Sequence, residues 1–82
     1  ASMDLTSGSV FTLNDNDYII LEDTNKNNKH YLFVNKLKGE EPTKEYYCLE
    51  EDNGEVIFLS DNTLIDELLT EFSEKLKKEK GV

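Results

Sequence analysis

Asp52-Asn53-Gly54-Glu55 joins two apolar runs, residues 46–49 and 56–59. Asn-Gly is the preferred pair for a two-residue type I′ turn, because both central residues of that turn need positive φ. With Asn53 and Gly54 central, Leu49 faces Phe58, Cys48 faces Leu59 and Tyr47 faces Ser60. One face of the hairpin then carries Tyr47, Leu49, Val56 and Phe58, and the other carries Tyr46, Cys48, Ile57 and Leu59. Both faces are apolar, whereas a sheet wetted on one side alternates apolar with polar. The hairpin is therefore expected to be covered twice, by a helix on one side and by sheet curvature or a partner on the other.

Four further strands are expected upstream, at residues 9–13, 18–22, 30–36 and 44–50. Between them, residues 14–17 and 24–29 are polar and rich in Asn and Asp, which bond their own backbone and tolerate left-handed φ. Residues 37–43 read as a loop punctuated by Gly39 and Pro42. After the hairpin, Leu64, Ile65, Leu68, Leu69, Phe72 and Leu76 recur at three-to-four spacing, which predicts one amphipathic helix over residues 63–80. Asp61, Asn62 or Thr63 can cap its start, and Gly81 is placed to stop it. The expected fold is α+β: a five-stranded antiparallel meander, curved toward a barrel, with one C-terminal amphipathic helix. Residues 1–8 read as a flexible lead-in, with Ala1-Ser2 a cloning remnant ahead of Met3, and residues 9–80 as a single domain.

Charge narrows the function classes. The 82 residues carry 18 Asp and Glu against 9 basic residues, all of them lysine, for a net −9. Such a chain is a poor ligand for nucleic-acid phosphates. Its single cysteine excludes an internal disulfide scaffold and a paired-cysteine zinc knuckle. The longest apolar runs are four residues, against the roughly 20 needed to cross a bilayer as a helix. No basic start followed by an apolar stretch marks a signal peptide. Together with the lone Cys48, this gives the expectation of a cytoplasmic protein of a bacterium or its phage. The acidity is also localised. Residues 40–71 hold 11 acids and one lysine, whereas residues 1–39 are net −1 and residues 72–82 net +2.

No motif rises to a catalytic or metal site. Asp23, Asn25 and Asn27 start like a calcium loop, but its sixth position falls on Asn28 rather than Gly, and its twelfth on Val34 rather than Glu. The Asn14–Asp17 stretch fails in the same way. Glu50, Glu51, Asp52 and Glu55 form an acidic tip in which Asp52 and Glu55 are opposed like charges. His30 and Cys48 form a nucleophilic pair only if the third and fourth strands bring them together, and no orienting group or oxyanion site accompanies them. Otherwise Cys48 is a small core residue and His30 a surface one. Asp66 and Glu67 are adjacent on the helix and point apart. The strand aromatics lack the basic groove of a single-stranded nucleic-acid platform. The expectation is no catalytic residue, no metal and no cofactor.

Phe11-Thr12-Leu13, Tyr18-Ile19-Ile20-Leu21 and Lys29-His30-Tyr31-Leu32, followed by the acidic centre at 50–55 and the helix from Leu64 to Leu76, resemble the YrzB-like small acidic proteins of Gram-positive bacteria and their phages. That resemblance implies a small cytoplasmic domain and names no activity.

The function expected from the residues is a non-enzymatic binding or regulatory module with a protein partner that presents a basic surface, without direct contact to nucleic acid or membrane. Its partner-facing residues are expected among Glu40, Glu41, Glu45, Glu50, Glu51, Asp52, Glu55, Asp61, Asp66, Glu67 and Glu71, since such a block steers a basic surface toward it. Three alternatives stand beside it. The carboxylates can imitate nucleic-acid phosphates and occupy a basic groove, as a phage-type inhibitor would. A small enzyme or ligand site can use His30 or Cys48. A homodimer can bury the spare sheet face.

Overall fold

The structure, a computed structural model, describes residues 5–79. Five strands run β1 (Val10–Leu13), β2 (Asn16–Lys26), β3 (Lys29–Lys38), β4 (Glu41–Asp52) and β5 (Glu55–Phe58), and the helix α1 (Asn62–Glu79) follows. The strands pair antiparallel in chain order, and the sheet curls into a half-barrel. The α+β meander with one C-terminal helix is the fold expected above.

All four hairpins are two-residue turns. β1 and β2 close at Leu13↔Asn16, β2 and β3 at Lys26↔Lys29, β3 and β4 at Lys38↔Glu41, and β4 and β5 at Asp52↔Glu55. Asn14 (φ 51°) and Asp15 (φ 66°), Asn27 (53°) and Asn28 (65°), and Asn53 (53°) and Gly54 (86°) supply three turns with positive φ at both positions. Asn, Asp and Gly are the residues that enter this region at least cost. Gly39 opens the fourth turn at φ 62°, where a side chain would be strained. The turn expected over 24–29 and the loop expected over 37–43 are thus shorter than read, and Pro42 lies inside β4 rather than in a loop. The Asn53-Gly54 hairpin has the expected register, with Leu49 opposite Phe58 and the Leu59 amide bonded to the Cys48 carbonyl at 3.0 Å.

The concave face packs on itself. Phe11, Tyr18, Ile20, Leu32, Val34 and Leu49 are buried together, with Tyr47 and Val56 against them. Tyr18 sits 5.5 Å from Phe11, 5.9 Å from Phe58 and 6.1 Å from Tyr47 between ring centroids, so its ring links β1 and β2 to β4 and β5 across the curl. Edge-to-face pairs at this spacing are favourable beyond their area. Leu5 completes the cluster at 4% exposure. The lead-in expected to be loose therefore belongs to the core from Leu5 onward; residues 1–4 lie outside the described residues. Gly8 donates to the Ile20 carbonyl at 2.7 Å, which extends the β1–β2 pairing back past Val10.

Helix α1 covers part of the convex face. Asp61 caps it, its Oδ1 accepting from the amides of Thr63 (3.0 Å) and Leu64 (3.3 Å), as expected for one of the three candidate caps. The stop expected at Gly81 lies outside the described residues. Leu68 and Phe72 are buried against Tyr31 and Cys48, with Phe33, Leu59, Leu64 and Ile65 around them. Phe72 stacks on Phe33 at 5.7 Å. The hairpin is thus covered by curvature over Tyr47 and Leu49 and by the helix over Cys48 and Leu59, whereas Tyr46 and Ile57 on the helix side stay more than half exposed.

Phe72→Ala is expected to cost about 3–5 kcal/mol, comparable with the whole stability of a small domain, roughly 5–15 kcal/mol. Leu69→Ala, at a residue 40% exposed, is expected to cost much less. Urea denaturation of the two variants checks the contrast; equal losses would contradict this placement of the helix.

Candidate functional site

Strand β4 divides the acidic block. Glu40, Glu41 and Glu45 lie at its start, while Glu50, Glu51, Asp52 and Glu55 lie around its far end. Nine residues of strand separate Glu41 from Glu50, roughly 30 Å. Asp61, Asp66, Glu67 and Glu71 belong to the helix and its cap. Several of these acids have local partners. Glu45 meets Lys36 at 3.8 Å, Glu50 meets Lys29 at 3.5 Å, and Lys26 lies between Glu71 (2.9 Å) and Glu67 (3.8 Å). Glu40, Glu41, Asp52, Glu55 and Asp66 make no ion pair among the described residues. Asp52 and Glu55 do face each other across the hairpin.

His30 and Cys48 are not brought together. Side chains alternate across a sheet. Leu32 and Val34 of β3 and Leu49 of β4 lie in the concave cluster, while Tyr31 and Cys48 lie under the helix. His30 accordingly faces the concave side and Cys48 the opposite one. Cys48 is 6% exposed, and burial pushes its thiol pKa up, away from the reactive thiolate.

His30 instead forms an ion cluster that the sequence reading missed. Its Nδ1 lies 2.6 Å from Glu51 Oε1 and its Nε2 lies 2.7 Å from Asp23 Oδ2. Ionised carboxylates only accept, so the form that satisfies both contacts is the imidazolium, which donates from both nitrogens. Burial works against that charge, but the hydrogen bonds to Asp23 and Glu51 outweigh it, and the pKa stands above its ordinary 6.5. Glu51 also accepts the Gly54 amide at 2.7 Å; this bond first, and His30 second, holds its carboxyl below the ordinary 4.5. The cluster ties β2, β3 and β4 together and borders a cavity of about 590 Å³ that Leu5, Thr6, Lys29, Glu50 and Asp52 also line. With both ring nitrogens occupied, His30 has no lone pair free for a metal, and no group of three His, Cys, Asp or Glu side chains among the described residues is arranged to hold one.

A second missed feature is Glu22. The irregularity between Ile20 and Glu22 turns its side chain under the end of α1, where it is 3% exposed. Lys75 Nζ approaches its Oε1 at 3.5 Å and donates to the Asp23 carbonyl. Hydrogen bonding to Glu22 pushes the Glu79 carboxyl above its ordinary range.

The largest apolar opening lies on the convex face beyond the helix. Val10, Ile19, Leu21, Leu37 and Pro42 line a groove of about 610 Å³, and its ionisable residues are Asp17 and Glu40. A smaller cavity of about 200 Å³ lies between the helix and β4, lined by Phe33, Tyr46, Leu59, Ile65 and Leu69. Val10 is 56% exposed and Tyr46 52%. In the sequence, the odd positions of 19–21 and 37 carry this signal, but without the two-residue turns they cannot be assigned to one face.

No family model matches the chain, and neither a curated protein nor a solved structure matches it. Among the described residues no helix is long and apolar enough to cross a membrane.

The His30 cluster has a pH signature. A raised histidine pKa contributes stability that is complete below 6.5 and is lost as pH rises through the raised value. A depressed glutamate pKa contributes stability that is present above 4.5 and is lost as pH falls through the lowered value. The urea midpoint is therefore expected to be highest between these limits and to fall from pH 5.5 to pH 8.5. His30→Gln is expected to flatten the alkaline fall; an unchanged fall in that variant would remove His30 as its cause.

Proposed function

We propose that this chain is a non-enzymatic protein-binding module whose docking surface is the convex sheet face beside α1. The observation that carries the reading is the groove of Val10, Ile19, Leu21, Leu37 and Pro42. Neighbouring strands are about 4.8 Å apart, so five strands give roughly 20 Å of width, while one packed helix occupies about 10 Å. The chain supplies one helix, and the uncovered half of this layer has the width of another. An amphipathic helix of the partner, laid beside α1, fits that space.

Charge selects among occupants. The groove is edged by Asp17 and Glu40, with Glu41 next in sequence, so an apolar stripe edged by lysine or arginine complements it. A second copy of this chain brings another −9, which disfavours self-association. Mimicry of nucleic acid has no specific observation on its side, since the acids lie at opposite ends of β4 and along the helix.

The test is affinity capture from the native host with the wild-type chain and with Leu37→Glu. A partner with a basic apolar segment, held by the wild type, released at moderate salt and lost with Leu37→Glu, is the expected result. A partner held equally by the variant would overturn the assignment of this face. Sedimentation at twice 9.5 kDa, abolished by Leu37→Glu, would transfer the face to a second copy.

A further inference from the structure

Backbone bonds hold the segment ahead of β1 to β2 from Gly8 onward, where the Gly8 amide donates to the Ile20 carbonyl at 2.7 Å, and one bond of the residue before it ends on a carboxylate. Ser7 donates its amide to Asp23 Oδ1 at 3.1 Å, and its hydroxyl to the Leu21 carbonyl at 3.1 Å. These contacts seat Leu5 at 4% exposure on the concave core. The other oxygen of Asp23, Oδ2, is the one His30 Nε2 holds at 2.7 Å. The segment and the imidazolium therefore share a single side chain.

We infer that Asp23, His30 and Glu51 form a proton-dependent latch that holds residues 5–7 over the end of the concave core and releases them when His30 is neutral. A neutral imidazole has one N–H. At 2.6 and 2.7 Å it cannot donate to both carboxylates, and one of them then faces a nitrogen lone pair. Glu51 is anchored by the Gly54 amide inside a two-residue turn. Asp23 is anchored on this side only by Ser7, which is exposed. Asp23 is thus the partner that moves, and its movement breaks the Ser7 bond.

The charged surroundings act in the same direction. Asp23 from β2 and Glu51 from β4 face the ring directly, Glu50 and Asp52 of β4 and Lys29 of β3 line the same cavity, and Leu5 and Thr6 from the segment do not titrate. Four carboxylates against one lysine favour the proton on His30 and favour separation once it has left. Release uncovers the apolar seat of Leu5 beside Leu32 and Leu49.

The experiment is a pH titration of the wild-type chain by NMR, following the His30 ring, the Ser7 and Gly8 amides and the methyls of Leu5, Leu49 and Leu68. The Leu5 methyls and the Ser7 amide are expected to move with the same midpoint as the His30 ring. Protection of the Ser7 amide, corrected for intrinsic exchange, is expected to be lost as the His30 ring loses its proton. The Leu68 methyls, in the other cluster under the helix, are expected to stay in place. In Asp23→Asn the carboxamide can accept from Ser7 and donate to a neutral ring, so the segment is expected to stay seated at alkaline pH, where the wild type releases it. A His30 ring that titrates while Leu5 and Ser7 remain fixed would overturn the latch. So would Leu68 moving together with Leu5, since that is global unfolding, or Asp23→Asn releasing the segment with the wild-type midpoint.

Discussion

A two-residue turn leaves no slack between strands, and this domain has four of them. Turn length sets register, and register decides which layer every side chain enters, because a slip of one residue exchanges the two faces. Turns with positive φ at both central residues also carry the right-handed twist of the flanking strands. A meander built from such turns curls. The curl lets Phe11, Tyr18, Tyr47 and Phe58 meet across the concave side without a second sheet. The only helix among the described residues is thereby left free for the convex side. Residues that accept positive φ are thus the scarce requirement of this fold, and the chain meets it with Asn and Asp as much as with Gly.

That distribution explains how much of the architecture was legible. Asn53-Gly54 is an unambiguous signal, and the register read from it is the register observed. Asn14-Asp15 and Asn27-Asn28 do the same work with residues that are equally at home in longer polar loops. Pattern alone reads them as turns of four and six residues, which leaves β2 and β3 shorter than they are. The cost was largest at the His30 cluster. Once Asn27-Asn28 is a two-residue turn, His30 pairs with Asn25 and lies diagonal to Asp23. Glu51 becomes its direct neighbour on β4 only through the β3–β4 register. That register depends on Gly39-Glu40 as a turn and on the irregularity between Asn35 and Leu37, where the Asn35 side chain donates to the Thr43 and Glu45 carbonyls. Pattern reading carries no signal for such an irregularity. It likewise gave no warning that Leu5 would be core, since a lone leucine among polar residues has no periodicity.

The uncovered surface of the sheet offers side chains more readily than backbone. β5 pairs with β4 only from Leu49 to Asp52, so the earlier part of β4 is an open edge on that side. Pro42 and Lys44 lie on this stretch, and proline and lysine are the residues that discourage strand addition. Next to it, Val10, Ile19, Leu21 and Leu37 present an apolar face with no such protection. The edge is guarded and the face is not, so a partner that adds a layer fits this domain better than one that adds a strand.

The net charge of −9 takes a different meaning once the acids are placed. Asp61 is used as a helix cap, Glu51 as a clamp on His30, and Glu67 and Glu71 as the counter-charges that hold Lys26 against α1. These carboxylates each have a local role in the fold. Within residues 40–71, the other acids without an ion pair among the described residues fall into three places: Glu40 and Glu41 at one end of β4, Asp52 and Glu55 at the other, and Asp66 on the helix. Of these only the first pair borders the large apolar groove, through Glu40, with Asp17 of β2 beside it. In the proposed binding role, the charge contributes long-range attraction from the whole molecule and short-range complementarity at one place, where apolar surface is also available. Long-range attraction sets an encounter rate and desolvated contact a residence time, and under that proposal the two would coincide at the β3–β4 end of the convex face.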